Sequence, residues 1–249
     1  MSTTITAPAL RFDDIVKRFG GITALAGVNL SVPRARVTCV LGENGAGKST
    51  LIRILAGEYP PSAGAVYMDD DRVSFSSPRA ALECGVATVF QDLALVPLMS
   101  VWRNFFLGRE RSRGWGPFRW LDAEYCRRVT RDALDALGIA LADTDRPAGT
   151  LSGGQRQSLA IARAIHFGAR ILVLDEPTAA LGVRQAAAVL DVIRNARDRG
   201  VTVILVTHSP RHADAVGDHF VFLRQGTVTA ELDHTELDVN RITELMSGP

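Results

Sequence analysis

Hydrophobic and polar positions along the chain follow two different periods in turn. From Leu10 to Val32, apolar residues alternate loosely with polar ones, at Leu10, Phe12, Ile15, Val16, Leu25, Val28, Leu30 and Val32. Gly20, Gly21, Gly27 and Pro33 punctuate this stretch, which predicts short antiparallel strands and hairpins. Val37–Leu41 is a compact apolar run ending at Gly42, the mark of a buried strand that feeds a glycine-rich turn. Ser49 to Ala56 then reads as a helix, with Leu51, Ile52, Ile54 and Leu55 as its apolar positions and Gly57 as its stop. Pro60, Pro61 and Gly64 mark a loop before a strand pair around Val66–Met68 and Val73–Phe75, and Val86–Phe90 reads as a further buried strand.

The pattern changes at Leu93. Up to about Ile165 helical spacing dominates, as in Val129, Ala133, Leu134, Ala136 and Leu137, interrupted by the segment RERSRGWGPFRW at 109–120. Strand-like runs return at Ile171–Leu174, Val201–Val206 and Phe220–Leu223, with a helix of about Val183–Arg199 between the first two. These patterns predict one α/β domain over residues 9–245. Its core, 9–91 and 166–245, begins with an antiparallel β-subdomain and is interrupted by a helical subdomain, 92–165.

Composition changes this picture little. The 249 residues are 47% hydrophobic and 22% charged, as expected of an ordinary folded protein. With 28 basic against 27 acidic side chains the net charge is +1, which disfavours a partner held by bulk charge, such as nucleic acid. No apolar run is long enough to span a bilayer, and the first residues lack the basic and apolar regions of a secretory signal. Cys39, Cys84 and Cys126 are too widely spaced for a disulfide framework or a zinc ribbon, so reduced thiols are expected. Of the 28 basic residues 26 are arginine; only Lys17 and Lys48 are lysine. A lysine kept in such a chain suggests a task that a planar guanidinium cannot perform.

One of those lysines stands in the chain's most informative motif. Gly42-Glu43-Asn44-Gly45-Ala46-Gly47-Lys48-Ser49 matches G-x-x-x-x-G-K-[ST] between a strand and a helix. The glycines let backbone N–H groups wrap a phosphate, Lys48 can reach the β- and γ-phosphates, and the Ser49 hydroxyl can ligate Mg²⁺. Ile171–Leu174 ends in Asp175 and Glu176, which places one carboxylate beside a magnesium ion and the next where it can polarise an attacking water. Together these motifs predict a P-loop NTPase. The guanine-reading N-K-x-D motif is absent, so ATP is favoured over GTP. Leu151-Ser152-Gly153-Gly154-Gln155, before a helix expected to start near Arg156, offers a second set of donors for an anion.

On these residues the sequence resembles the ATP-binding cassette (ABC) ATPases, over nearly its whole length. L-S-G-G-Q looks like that family's signature motif. The resemblance implies a RecA-like P-loop core and assigns Gly42–Ser49, together with Thr50, to the triphosphate. Phe19 stands where the family's adenine-stacking aromatic lies, Gln91 where the Q-loop glutamine lies, and His208 where the switch histidine lies. The resemblance further implies Ser49, Gln91 and Asp175 as Mg²⁺ ligands, and Glu176, His208, Gln91 and Lys48 as catalytic groups. Ser152, Gly153, Gly154 and Gln155 would close on ATP held by a second copy. One departure is plain: after Pro177 the family commonly has Ser-Ala-Leu-Asp, whereas this chain has Ala179-Ala180-Leu181-Gly182.

The stretch from Gln91 to Glu110 is similar to ATPases of bacterial carbohydrate importers. Gly114–Phe118 and Ala180–Gly182 look most like the single-cassette fructose-importer ATPases. This similarity implies a homodimer when ATP is bound, membrane permease subunits as partners, a periplasmic sugar-binding protein upstream, and a peripheral position on the cytoplasmic face of the inner membrane. Trp102, Trp115 and Trp120 are expected to pack in the helical subdomain, and residues 92–120, including Arg103 and Arg109, to receive the permease. Cassette ATPases that act on nucleic acid insert long heptad coiled coils or zinc modules. Here about 100 residues without heptads or paired cysteines separate Lys48 from Leu151.

Overall fold

The alternation across Leu10–Val32 folds into two long antiparallel strands, β1 (Leu10–Phe19) and β2 (Ile22–Val32), paired from Leu10↔Val32 to Phe19↔Ile22. The computed structural model describes residues 7–115, 118 and 120–247; Gly116, Pro117 and Arg119 of the aromatic segment lie outside the described residues. β3 (Val37–Leu41) leads into α1 (Lys48–Leu55), and β4 (Ala63–Met68) and β5 (Asp71–Val73) complete a four-stranded sheet in the order β2-β1-β4-β5. The strand expected at Val73–Phe75 ends at Val73 instead. A tight turn at Asp69 and Asp70, both with positive φ, sets the register Met68↔Asp71 and Val66↔Val73.

After α2 (Pro78–Glu83) and β6 (Val86–Val89), the chain leaves the sheet. It forms α3 (Val101–Phe106), the small hairpin β7 (Ser112–Arg113) and β8 (Trp120–Leu121), α4 (Ala123–Asp135) and α5 (Gly153–His166). It then returns through β9 (Ile171–Asp175), α6 (Val183–Asp198), β10 (Thr202–Val206), α7 (Pro210–Val216), β11 (His219–Arg224), β12 (Thr227–Asp233) and α8 (Val239–Ser247). The second sheet runs β12-β11-β3-β10-β9-β6, parallel except for β12.

The central strands are buried on both faces, so each sends alternate residues into two different cores. Leu172, Leu174, Val203, Leu205, Phe220 and Phe222 join the core that contains α3, α4, α5 and α6. Val173, Ile204, Val206, Val221 and Leu223 join α1 and the antiparallel sheet. Burial from both sides holds the C-terminal ends of β3, β9 and β10 in fixed register, and the candidate site is built there.

Candidate nucleotide site

The Gly42–Gly47 loop closes the turn between β3 and α1, and two of its glycines have steric causes. A Cβ at Gly42 would lie 2.1 Å from the carbonyl oxygen of Leu223, and one at Gly47 2.7 Å from the Leu25 side chain. Gly47 also takes a left-handed conformation as the N-cap of α1. Lys48 folds back beneath this loop and is 7% exposed. Its Nζ donates to the carbonyls of Gly42 at 2.6 Å and Glu43 at 2.9 Å. Burial pushes the Lys48 ammonium below its ordinary range, against the opposing pull of Glu176 and Asp175. Ser49 is exposed in the first turn of α1.

Asp175 ends β9 opposite Val206 of β10, and burial together with the Glu176 charge raises its carboxyl above the usual range. Arg53 and Lys48 offset this only in part. Asp175 is a partly buried carboxylate that feels Lys48, and Ser49, next to Lys48 in sequence, has an exposed hydroxyl; carboxylate and hydroxyl are oxygen donors of the kind magnesium takes. Glu176 has a positive φ of 51°, and its N–H donates to Val206 at 2.9 Å. Its Oε2 lies 2.8 Å from His208 Nδ1, so the expected base and the expected switch histidine meet directly. Gln91 is exposed in the loop after β6 and lines one cleft with Glu176, Gly153 and Gln157. Gly42, Glu43, Asn44 and His208 line another, against Thr243 and Met246 of α8.

The structure places the start of α5 at Gly153, three residues before the expected Arg156, because Ser152 and Gln155 form a reciprocal capping box. Ser152 Oγ accepts from Gln155 N at 3.2 Å, and Gln155 Oε1 accepts from Ser152 N at 3.0 Å. The Ser152 hydroxyl proton remains available to an anion. This helix start packs on the segment after Glu176: a Cβ at Gly153 would lie 2.6 Å from the Leu181 side chain. Ser152 and Gln155 line neither of the two clefts just described.

Phe19, at the end of β1, is 45% exposed. Tyr59 was not singled out in the sequence, yet it stands edge-on to Phe19 with ring centroids 5.3 Å apart. Burial raises the Tyr59 hydroxyl above its ordinary range against the opposing pull of Thr50 and Arg53, which places it beside α1. Lys17 caps the pair, 5.2 Å from the Phe19 ring and 4.4 Å from that of Tyr59. No local pattern marks Tyr59, since it lies 40 residues from Phe19 in a proline-bounded loop. The tryptophans divide. Trp102 is buried and donates to Asp145 at 3.0 Å, whereas Trp115 and Trp120 are 89% and 59% exposed, contrary to the packing expected of them.

A family model described as ABC transporter matches residues 25–179. The chain belongs to the ABC transporter family. The xylose/arabinose import ATP-binding protein XylG of Sulfolobus acidocaldarius is 37% identical over 96% of this cassette and 94% of its own length. The fructose import ATP-binding protein FrcA of Rhizobium meliloti is 36% identical over 97% and 94%. Among solved structures, an ATP-binding cassette in its ADP conformation superposes with TM-score 0.82 at 28% identity, covering 98% of this chain and 96% of its own. A dimeric bacterial cassette gives TM-score 0.74 at 26% identity, over 90% and 98%. The cassette is thus an ABC ATPase with the P-loop fold expected from its sequence, built for nucleotide.

Proposed function

We propose that this cassette hydrolyses ATP to drive uptake of a monosaccharide through a separate membrane permease. The chemistry rests on the 2.8 Å contact between Glu176 and His208 at the strand ends that flank the Lys48 loop. Lys48 exchanges its two carbonyl acceptors for β- and γ-phosphate oxygens, and the loop N–H groups hold the remaining oxygens. Phe19 offers the adenine an exposed ring face. Glu176 accepts the proton of the attacking water, while His208 orients its carboxylate and faces the γ-phosphate. Ser49, Asp175 and Gln91 would hold Mg²⁺, which supplies positive charge to the β- and γ-phosphates when bound. Ser152 and Gln155 line neither cleft of their own chain, and with Gly153 and Gly154 they offer a hydroxyl, N–H groups and a helix dipole at the start of α5. In this reading they complete the site of a second copy.

The relatives support a monosaccharide as cargo, being named as xylose/arabinose and fructose import ATP-binding proteins. No helix among the described residues is long and apolar enough to cross a membrane. Transport therefore needs a permease, with the cassette peripheral on its cytoplasmic face and a periplasmic sugar-binding protein delivering substrate. A groove of about 280 Å³ between β6 and α5 supports this docking. Its walls include Leu82, Val89, Leu107 and Phe167, and Arg109 and Arg163 line it. Arg103 does not line this groove; its guanidinium stacks on Trp102.

The test is reconstitution. With the permease in proteoliposomes, ATP hydrolysis and uptake of labelled fructose, xylose or ribose are measured together. Arg109→Glu should leave basal hydrolysis intact and abolish stimulation by the permease. Hydrolysis without any ATP-dependent sugar uptake would sink the import reading.

A further inference from the structure

One histidine in the turn after β10 and another in the first turn of α7 meet two residues of the turn after β9. β9 ends in the turn Glu176–Ala179, closed by Ala179 N donating to Glu176 at 3.0 Å, and β10 ends in the turn that opens α7. Glu176 Oε2 meets His208 Nδ1 at 2.8 Å, and two residues later Thr178 Oγ1 meets His212 Nδ1 at 2.9 Å. The second contact is the more buried: Thr178 is 6% exposed, whereas the His208 side chain is 64% exposed. His212 is itself held in place. Its N–H donates to Ser209 Oγ at 3.4 Å, and Ser209 N donates to Thr207 Oγ1 at 3.1 Å. The turn after β10 is therefore fixed at Thr207, Ser209 and His212, while the exposed His208 ring stands between them.

Glu176 needs such support. Its φ of 51° is unfavourable for a residue with a side chain, and Ala180, one residue past this turn, has φ 58°. Backbone of this kind persists when surrounding contacts over-determine it. Apart from the paired backbone, the bond from Thr178 to His212 ties this turn to α7. We propose that His212 is a positioning residue: through Thr178 it fixes the Glu176 turn against the His208 turn, so that carboxylate and imidazole meet at catalytic distance. Among the described residues no hydrogen bond or ion pair joins His212 to Glu176 or His208, so in this proposal it acts through Thr178. The inference rests on Glu176 and His208 acting as proposed above.

The experiment compares Thr178→Val, His212→Leu, His212→Asn and the double variant Thr178→Val/His212→Leu in the full chain, with Glu176→Gln as control. Valine keeps the volume of Thr178 and removes its hydroxyl; asparagine offers an amide near the place of Nδ1. Displacing an oriented group by a fraction of an ångström should lower kcat about tenfold in Thr178→Val and His212→Leu, with KM for ATP within about twofold of wild type. The double variant should lose no more than either single one, and His212→Asn should recover most of the rate. Unchanged kcat in Thr178→Val, losses that multiply in the double variant, or a change confined to KM would overturn the positioning role. If His212→Leu fails to fold, Thr178→Val and His212→Asn decide the matter. Activity in Glu176→Gln would instead refute the assignment of the base, a separate failure.

Discussion

His219 Nε2 lies 2.9 Å from Oε1 of Glu231, and both residues sit at the antiparallel edge of the second sheet. The other ring nitrogen stands 3.2 Å from Asp233, which also meets Arg36 at 3.2 Å. Burial opposes a charge on this imidazole, but hydrogen bonds and charge from the two carboxylates outweigh it and hold His219 above its ordinary range. A group raised in the folded state contributes its full stability below its unfolded pKa, near 6.5, and loses it as pH rises through the higher folded value. Thermal stability should therefore decline on the alkaline side of neutrality, and His219→Gln should flatten that decline. Melting curves from about pH 6 to 9 check this; parallel declines in both proteins would refute it.

Lys48→Ala should abolish hydrolysis and most triphosphate affinity. The ammonium now sits between two loop carbonyls where phosphate oxygens would replace them. Lys48→Arg should fail as well, because a planar fork is too wide for a cage that a single Nζ fills. Binding of a fluorescent ATP analogue and steady-state hydrolysis measure the two effects. Wild-type turnover in either variant would show that this loop is not the phosphate site.

Gly182 is the N-cap of α6, with extended backbone, no side-chain cap, and open space where a Cβ would stand. Gly182→Asp should add the missing cap and favour the helix dipole, for a gain of about 0.5 kcal/mol. For a chain of this size that is a rise in Tm of about 1–2 °C by calorimetry. An unchanged or lower Tm would mean that α6 draws nothing from this position.

Glu176→Gln should keep the shape of the site and remove the base, so that Mg-ATP persists and holds two chains together. Gel filtration with Mg-ATP should show a dimer for the variant and a return to monomer for wild type as ATP is consumed. Mixing Lys48→Ala with Ser152→Arg subunits should restore part of the activity, because one mixed dimer keeps a single intact composite site. No recovery on mixing, with turnover per chain independent of protein concentration, would refute sites shared between copies.

Much of the fold was legible because burial on both faces of a parallel sheet writes itself as short apolar runs. Val37–Leu41 appears in the structure as read, and Ile171–Leu174 as the body of β9. The glycine-rich turn after β3 and the acid pair after β9 stand out for a related reason: the proposed chemistry demands fixed spacing beside such a strand. The start of α5 was misplaced because the glycines of Ser152–Gln155 hid a capping box, in which side chains supply what propensity does not. The strands β7 and β8 were not expected, having two residues each and no buried face. Tyr59 and His212 reach the site only through three-dimensional neighbours, Phe19 and Thr178. Spacing along the chain carries no trace of those contacts.

A protein with two lysines among 28 basic residues has two side-chain amines for acylating reagents to find. Lys17 covers the Phe19 and Tyr59 rings, with its Nζ donating to the Pro60 carbonyl, and Lys48 lies under the phosphate loop. In the proposed site the two amines would stand at opposite ends of a bound nucleotide, Lys17 beside the base and Lys48 beside the phosphates. Their labelling rates, read separately by mass spectrometry, form a two-channel footprint in which adenosine shields Lys17, inorganic phosphate shields Lys48, and ATP shields both. A substitution that loosens the grip on the base can then be told from one that loosens the grip on phosphate, in the unaltered chain and without any attached probe.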